Sequence, residues 1–340
     1  MKKKKYDETS ISVLKGLDPV KQRPGMYTRT ESPLHILQEV IDNSADEALS
    51  GFSDEITVTC HEDKSYSVED NGRGIPVGLH ATEGVSVIEL VFTRLHSGGK
   101  FKKGTSSSYN FSGGLHGVGV SVTNALSKKL EVTVWRDKFE WKMTFTNGDV
   151  FENLKKIKST KKKGTRIRIW PNEKYFDNVN IQTKELSHSL ISKAVLLPGV
   201  TIGFYNTVNK KEEKWCFKNG FKDYLFSSIS DQDLIVPTWE SEGFIDKKND
   251  YFNQGEGANW LLAFTSIGNI RESFVNLIPT SAGGTHESGF KEGVFLAVKG
   301  FIEKQNLMVK GVKLITDDVF QKASFILSTK ILDPQFQGQT

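Results

Sequence analysis

Residues 32–51 carry a hydrophobic pattern with the period of an α-helix. At about 100° per residue, the apolar and small side chains fall on one side. They are Leu34, Leu37, Val40, Ile41, Ser44, Ala45 and Ala48. Ser32 suits the capping position, Pro33 the first helical position and Gly51 the exit. The pattern therefore predicts an amphipathic helix with one deeply apolar face.

The other face of this helix is polar and carries His35, Glu39, Asn43, Asp46 and Glu47. Such a face is most often a solvated surface. Its residues also suit a chemical role, because Glu39 and Asn43 lie one turn apart. A carboxylate there can accept a proton from an attacking water, and a carboxamide oxygen suits an octahedral magnesium ion. His35, one turn before Glu39, would orient that carboxylate.

A second polar motif follows a predicted strand, where Asp70 precedes Gly72 and Gly74. A buried carboxylate accepts hydrogen bonds and cannot donate them, so Asp70 would recognise an exocyclic amine such as that of adenine and reject the carbonyl of guanine. The alternative is an ordinary turn aspartate that satisfies local backbone groups.

Residues 112–119 form a glycine-rich segment that leads into a predicted helix. Glycines let backbone N–H groups approach phosphates, and a helix start adds partial positive charge. The segment lacks the Gly-Lys-Ser/Thr ending of a P-loop. By itself, it is equally typical of a flexible connection.

The remaining patterns predict an α+β chain in which an antiparallel sheet dominates the first part. Strands are predicted at 56–60, from 66, and at 130–136, 139–145, 166–170 and 260–265, and helices at 85–95, 118–126, 183–197, 289–304 and 316–329. Residues 97–119 are predicted to form a long mobile loop. The length of 340 residues favours two domains, and composition changes around residues 205–215.

Composition indicates an ordinary globular protein, with 37% hydrophobic and 25% charged residues. The net charge of +4 is too small to imply nucleic-acid binding by the whole surface. Cys60 and Cys216 lack a metal-ligand spacing and are predicted to be reduced thiols in or near the core. The first residues lack the apolar stretch of a secretory signal, and no apolar run approaches bilayer length. We therefore expect a cytoplasmic protein without a membrane partner.

In combination, the motifs around Glu39, Asn43, Asp70 and residues 113–119 resemble the successive ATP-site motifs of one superfamily. It unites gyrase, heat-shock chaperones, histidine kinases and mismatch-repair ATPases. Residues 22–27, 42–48 and 95–101 narrow the resemblance to the ATPase subunits of type II topoisomerases. Residues 27–28, 109–114, 215–216 and 333–340 favour the topoisomerase IV branch, with the B subunit of gyrase as the alternative.

The resemblance implies a Bergerat-type fold, a two-layer α/β sandwich with a mixed, mostly antiparallel sheet, followed by a second α/β domain. The implied boundaries are a dimerisation arm at 1–16, an ATPase domain at 17–216 and a transducer domain at 217–340. ATP binding would make two chains dimerise, with Tyr6 crossing into the partner, and hydrolysis would drive DNA strand passage in the full enzyme. The further implied partners are DNA and the A subunit of topoisomerase IV.

The resemblance also implies roles for individual residues. Glu39 would be the general base, supported by His35 and Gln339, and Asn43 the magnesium ligand. Asp70 would read adenine, with Thr165 sharing a water beside it. The other implied ATP-binding residues are Tyr6, Asn43, Glu47, Arg73, Gly74, Ile75, Pro76, Lys100, Tyr109, Gly114, Leu115, His116, Gly117, Val118 and Gly119. ATP-site inhibitors would contact Asn43, Asp70, Arg73, Pro76, Arg136 and Thr165.

The sequence departs from the family pattern at one point, and two alternatives to the topoisomerase interpretation make different predictions. In the family a Gln-Thr-Lys loop reaches the γ-phosphate, and here Gln339 and Thr340 match while the sequence ends before a lysine. We therefore expect ATP binding with weak turnover, and no DNA cleavage by this chain alone. A histidine kinase needs a phosphoacceptor histidine before the ATP motifs, and residues 1–31 contain none. A non-enzymatic binding module would have no activity for a Glu39 substitution to remove.

Overall fold

The computed structural model describes residues 13–98, 111–113, 117–229, 233–266 and 270–336. It divides the chain into two compact units. The first takes its residues from Met1–Lys102, Gly114–Ser187 and Gly203–Glu213, and the second takes them from Lys103–Gly113, His188–Ile202 and Lys214–Thr340. The domain boundaries implied by the resemblance stay a prediction.

The large sheet has eight strands in the order β5-β4-β3-β6-β2-β1-β7-β8. Its strands are β1 (Glu55–Cys60), β2 (Tyr66–Asp70), β3 (Ser127–Arg136), β4 (Phe139–Thr146), β5 (Asp149–Ser159), β6 (Gly164–Pro171), β7 (Thr201–Asn206) and β8 (Lys211–Trp215). The pairs β1–β2, β2–β6, β6–β3, β3–β4 and β4–β5 are antiparallel. The prediction of a mostly antiparallel sheet is confirmed.

The helices before β7 are α1 (Asp18–Gln22), α2 (Leu34–Leu49), α3 (Val87–Thr93), α4 (Gly119–Ala125) and α5 (Thr183–Leu196), with a 3₁₀ turn at Pro24–Met26. Most of α5 belongs to the second unit. Ile36, Leu37 and Ile41 of α2 are fully buried. So are Val58, Val132, Val134 and Ile169 of the strands, and Phe92 of α3 stacks on Phe145 of β4 with ring centroids 5.5 Å apart. The core of the first unit is therefore apolar and built from both helices and sheet.

Helix α2 differs from the prediction in two ways. It begins at Leu34, and Pro33 rather than Ser32 occupies the N-cap position, although Gly51 follows the helix with φ +79°. The polar face is not solvated, because His35, Asp46 and Glu47 are buried beside the apolar face. A charged side chain is rarely buried without partners, so these residues have a structural or chemical task.

The second unit contains a mixed five-stranded sheet in the order β12-β11-β13-β10-β9. Its elements are α6 (Phe221–Ser228), β9 (Trp239–Phe244), β10 (Gly257–Phe264), β11 (Arg271–Val275), β12 (Ile278–Pro279), α7 (Thr285–Lys304), α8 (Thr316–Phe320) and β13 (Ala323–Lys330). Strands β11 and β13 run parallel, and the other described pairs run antiparallel. Phe290, Val294 and Val298 of α7 pack on a cluster that includes Phe320 and Phe325.

The sequence prediction has one wrong element and several omissions, which include strands β5, β7, β8, β9, β11 and β12. The helix expected at 316–329 ends at Phe320, and β13 follows it. Residues 323–329 are all buried, and a short apolar run buried on both faces has no periodicity that separates strand from helix. Strand β5 is absent from the prediction because it is an edge strand, mostly exposed and rich in lysine, without apolar alternation.

Within the described part of the chain, no helix is long and apolar enough to cross a membrane. Both cysteines are free thiols. Cys60 is partly buried, whereas Cys216 is exposed, which corrects the prediction that both lie in or near the core.

Candidate functional site

The carboxylate of Asp70 lies at the end of β2, where neighbouring strands and helix α2 meet. Only 7% of the residue is exposed. Its Oδ1 accepts hydrogen bonds from the backbone N–H groups of Gly72 at 2.9 Å and Thr165 at 3.3 Å. Its Oδ2 accepts one from the hydroxyl of Ser44 at 3.0 Å. These donors hold the carboxylate in one orientation inside the protein.

Burial raises the pKa of Asp70 from 3.8 to about 6. Removing a carboxylate from water disfavours its charged form, and the nearby negative charge of Glu47 acts in the same direction. The hydrogen bonds from Gly72, Ser44 and Thr165 oppose this rise without cancelling it. At pH 7 the group is therefore mostly ionised and is an acceptor for hydrogen bonds.

The sheet register determines which residue lies beside Asp70. Asp70 pairs with Thr165 of β6, which in turn pairs with Val134 of β3. The preceding residue, Gly164, has φ +118°, and a Cβ there would overlap the backbone carbonyl oxygen of Asp70. The hydroxyl of Thr165 accepts a hydrogen bond from the N–H of Ile75 at 3.3 Å. Asp70, Thr165 and Ile75 thus form one connected polar group.

Arg73 follows this group and is fixed by Glu47. Its Nε donates to Glu47 Oε1 at 2.7 Å and its Nη2 to Oε2 at 2.8 Å, a bidentate pair. The backbone N–H of Arg73 also donates to Oε1, at 2.9 Å. The guanidinium carbon lies 3.5 Å from the ring centroid of Phe52, so an aromatic ring covers one face of the guanidinium.

Arg136 of β3 lies at the same edge as Arg73. Its Nη1 donates to the carbonyl oxygen of Gly74 at 2.6 Å and, more weakly, to that of Arg73 at 3.4 Å. Gly74 itself has φ +75°. Arg73 and Arg136 border a wide, basic cleft of about 980 Å³ that is also lined by Trp135 and residues 159–163. Pro76 continues the same chain segment.

Glu39 lies on the side of α2 that faces the start of α4. A Cβ at Gly119, the first residue of α4, would overlap Glu39 Oε2. Glycine at this position therefore lets the carboxylate lie directly on the backbone. Gly117, with φ +61°, and Val118 come immediately before the helix, so Glu39 borders the described end of the glycine-rich segment.

His35 lies one turn before Glu39 and is 6% exposed. Burial lowers its pKa below the usual 6.5, so the ring is neutral at pH 7. Its Nδ1 lies 2.9 Å from the hydroxyl oxygen of Thr28, and its Nε2 lies 3.9 Å from Glu39 Oε1. The second distance is longer than a hydrogen bond. His35 thus contributes a neutral ring beside Glu39, not a second charge.

Asn43 lies one turn after Glu39 on the same helix. Its Nδ2 donates to the backbone carbonyl oxygen of Glu39 at 2.7 Å, which fixes the orientation of the carboxamide. Among the residues that the structure describes, no group of three or more His, Cys, Asp or Glu side chains is arranged to hold a metal ion. A single carboxamide oxygen fits a magnesium ion that takes its other ligands from phosphates and water.

The predicted residues fall into two groups. The structure brings together the residues just described on α2, the start of α4 and the adjoining edge of the sheet, and they are His35, Glu39, Asn43, Glu47, Asp70, Arg73, Gly74, Ile75, Pro76, Gly117, Val118, Gly119, Arg136 and Thr165. The others lie outside the described residues, as does most of the predicted loop 97–119, and they are Tyr6, Lys100, Tyr109, Gly114, Leu115, His116 and Gln339.

Sequence reasoning missed Ser44 and Phe52 as residues of this site, and it named Gly72 only as part of the motif that follows Asp70. The helical pattern places Ser44 on the apolar face of α2, yet its hydroxyl binds Asp70. Phe52 carries no signal in the sequence beyond its position after Gly51. Gly72 has the pattern of an ordinary turn residue, although a Cβ there would overlap Glu47 Cγ. For these residues, the sequence contains one signal of a role in the site, which is the polar Ser44 within the otherwise apolar face of α2.

Family models match both parts of the chain. The model described as "Histidine kinase-, DNA gyrase B-, and HSP90-like ATPase" matches residues 29–175, and the model "DNA gyrase B" matches residues 220–340. The fold and the matched site therefore define a class, that of the histidine kinase-, gyrase B- and HSP90-like ATPases.

Sequence identity to individual proteins shows which members of this class the chain resembles. The B subunit of DNA topoisomerase 4 from Salmonella typhimurium is 44% identical over 339 residues, which cover 98% of this chain and 52% of that protein. The B subunit of DNA gyrase from Thermotoga maritima is 39% identical over 345 residues, covering 99% and 53%. The chain thus spans about half the length of the curated relatives it matches.

Two solved structures agree with this assignment. The topoisomerase IV ATP-binding domain of Francisella tularensis, solved with a small-molecule inhibitor, has a TM-score of 0.74 and 41% identity, covering 96% of this chain and 85% of that one. The 43K ATPase domain of Thermus thermophilus gyrase B, solved with an aminocoumarin, has a TM-score of 0.76 and 30% identity, covering 95% and 83%. The chain belongs to the family of topoisomerase IV B subunits, which the higher identities favour over the gyrase alternative.

Proposed function

We propose that this chain binds ATP in its first unit and that Asp70 selects adenine. The observation that carries the proposal is the buried Asp70 carboxylate, held by Ser44, Gly72 and Thr165. An ionised carboxylate only accepts hydrogen bonds, so it pairs with the exocyclic amine of adenine and repels the carbonyl of guanine. Gly74, Ile75 and Pro76 would line the base pocket, and Arg73 would close its edge.

The hydrolytic step would use Glu39 as the general base. Its carboxylate lies against Gly119, next to the glycine-rich segment that would bind the phosphates. An attacking water placed there gives its proton to Glu39 as the water oxygen attacks the γ-phosphorus and the bond to the β-phosphate oxygen breaks. The neutral ring of His35 would position Glu39 without lowering its basicity through a positive charge. Gln339 would contact the γ-phosphate, as the resemblance implies.

Magnesium would be held by Asn43. The carboxamide supplies one hard oxygen ligand, and the nucleotide phosphates and waters supply the rest. The ion, when bound, would neutralise charge that develops on the transferring phosphoryl group. This chain's own contribution is the orientation of the carboxamide, which the hydrogen bond to the Glu39 carbonyl fixes.

At the level of the whole protein, we propose that ATP-dependent dimerisation couples hydrolysis to DNA strand passage, together with DNA and the A subunit of topoisomerase IV in the cytoplasm. Family membership supports these proposals. The two solved structures hold a small-molecule inhibitor and an aminocoumarin, which supports inhibitor binding by this chain. Arg73 and Arg136 would contact such inhibitors at the basic cleft. The other contacts would come from Asn43, Asp70, Pro76 and Thr165.

The test compares ATP with GTP and wild type with Glu39→Gln. With magnesium, ATP at a hundredfold its Kd stabilises a protein by about 2.7 kcal/mol, so we expect a clear rise in Tm with ATP and none with GTP. Glu39→Gln should keep the rise and lose turnover by at least about a hundredfold. Equal shifts with both nucleotides would refute adenine selection. Unchanged turnover in Glu39→Gln would refute the base assignment.

A further inference from the structure

The stretch from residue 153 to residue 172 is strongly basic. It contains six lysines, two arginines and no aspartate or glutamate, which gives a formal charge of +8, whereas the whole chain carries +4. The lysines lie in the last part of β5 and in the connection to β6, and they are Lys155, Lys156, Lys158, Lys161, Lys162 and Lys163. All six are exposed. Positive charge is therefore concentrated at one end of the edge strand of the large sheet.

Hydrogen bonds hold the connection between β5 and β6 beside the turn between β3 and β4. The N–H of Thr160 donates to the carbonyl oxygen of Lys138 in that turn at 2.9 Å. The hydroxyl oxygen of Thr160 accepts a hydrogen bond from the N–H of Lys162 at 3.0 Å. Lys138 and residues 161–163 consequently line the same basic cleft. Because the backbone is already fixed, little ordering of the chain is needed before these cations bind an anion.

Part of this positive charge is neutralised within the protein. Three lysines lie within ion-pair distance of carboxylates, and the pairs are Lys155 with Glu152, Lys158 with Glu140 and Lys162 with Glu69. Four other exposed lysines have no carboxylate partner among the residues that the structure describes, and they are Lys138, Lys156, Lys161 and Lys163. Neighbouring cations without counter-charges raise the local potential and attract anions. These four lysines are therefore available to an external anion.

The aromatic rings beside these lysines are covered, which bears on the kind of anion. Lys156 Nζ lies 3.2 Å from the ring centroid of Phe139, and Lys162 Nζ lies 3.7 Å from that of Trp135. Trp135 itself is only 4% exposed. Binding of single strands without sequence preference relies on exposed rings on which bases stack, and these two rings are not exposed. Cations on a fixed backbone suit the regular, dense charge of a duplex, about one negative charge per 1.7 Å of helix axis.

We propose that Lys138, Lys156, Lys161 and Lys163 form a surface of the first unit that binds the phosphate backbone of duplex DNA. DNA is a proposed partner of the whole protein on the ground of family membership, and these lysines place one contact with it at the end of β5. Binding here is independent of base sequence, because phosphate contacts carry no sequence information. The contact needs no nucleotide at Asp70, so it is tested separately from ATP binding.

The experiment measures the Kd of the intact chain for a short fluorescent duplex of mixed sequence at salt concentrations from about 50 to 200 mM. Four phosphate contacts predict a slope of about −3.6 for log K against log salt concentration. The double variant Lys161→Gln with Lys163→Gln should make this slope less steep by about 2 and weaken binding at least about tenfold at 100 mM salt.

The matched control is the double variant Lys247→Gln with Lys248→Gln. It removes the same charge from two adjacent exposed lysines of the second unit, which lie between Asp246 and Asp250 in the sequence. We expect the slope of this control to equal that of wild type and its Kd to stay within about twofold. The Tm without nucleotide should be the same in all three proteins, because the substituted lysines are exposed.

A wild-type Kd in the Lys161 and Lys163 double variant, or an equal loss of affinity in the control, would overturn the inference. So would tighter binding of the single strand than of the duplex, or equally tight binding of polyglutamate, because either result would assign the surface to another polyanion. The ATP-induced rise in Tm should be the same in all three proteins. Its absence in wild type would refute the proposed function and leave the result for DNA unaffected.

Discussion

The carboxylate of Glu39 lies directly on the backbone of Gly119, so closely that a methyl group on Gly119 would overlap Oε2. The two residues come from different helices, α2 and α4, which a second contact joins. The hydroxyl of Thr123 in α4 donates to the carbonyl oxygen of Ile36 in α2 at 2.9 Å. This hydrogen bond fixes α4 against α2 and so brings Glu39 to the glycine-rich segment.

Gly119→Ala should therefore displace the Glu39 carboxylate and reduce ATP turnover by at least about a hundredfold, the scale of a lost general base. Alanine favours a helix over glycine by about 1 kcal/mol, so a general loss of helix formation would not explain the result. Gly289→Ala is the control, because nothing lies within 4 Å of a Cβ at that helical position. It should stabilise the protein by about 1 kcal/mol and leave turnover unchanged. Wild-type turnover in Gly119→Ala would contradict the assignment.

Asp70→Asn should stabilise the nucleotide-free protein at pH 8 while abolishing the ATP-induced rise in Tm. The pKa of Asp70 is raised from 3.8 to about 6. The stability linked to its protonated form is present below pH 3.8 and is lost as the pH rises through about 6. An asparagine has no such loss, and its amide can donate to the Ser44 oxygen. Urea unfolding should show a gain of up to about 2 kcal/mol at pH 8, and a smaller one at pH 5. If Asp70→Asn stabilised the protein at pH 5 as much as at pH 8 or more, the prediction would be wrong.

ATP affinity should fall as the pH drops through about 6, the pKa of Asp70. Protonation converts the acceptor into a group that no longer matches the adenine amine, so Kd should rise by up to about tenfold per pH unit below the pKa. Ser44→Ala provides the control for titration of the nucleotide itself. It removes a hydrogen bond that lowers the pKa of Asp70, so the midpoint should move to higher pH. If the pH dependence of Kd had the same midpoint in wild type and in Ser44→Ala, the titrating group would belong to the nucleotide and not to Asp70.

Phe52 and Glu47 should stabilise Arg73 jointly, one through the ring face and the other through two hydrogen bonds. A double-mutant cycle of Phe52→Leu with Arg73→Lys, measured by urea unfolding, should give a coupling energy of about 0.5–1 kcal/mol. Lysine keeps the charge but loses the planar guanidinium that lies on the ring. Strict additivity of the two substitutions would show that the stacking contributes nothing.

Much of the fold was predictable from local patterns. The predicted helices at 183–197 and 289–304 correspond to α5 and α7, and the alternation at 56–60 corresponds to β1. The helix expected at 316–329 was wrong because β13 is buried on both faces. Strand β5 could not be predicted because an exposed edge strand needs no hydrophobic alternation. Both failures have one cause, which is that burial depends on neighbours distant in sequence.

The sequence by itself determined the chemical types at the candidate site and their local spacing, as for Glu39 and Asn43 one helical turn apart. It also determined that Asp70 ends a strand before two glycines, because strand alternation and turn residues act over a few positions. Only the tertiary structure decided that Asp46 and Glu47 are buried, that Ser44 binds Asp70 and that Gly119 meets Glu39. These contacts join residues that are close only after the sheet and helices have packed, and packing depends on the whole chain.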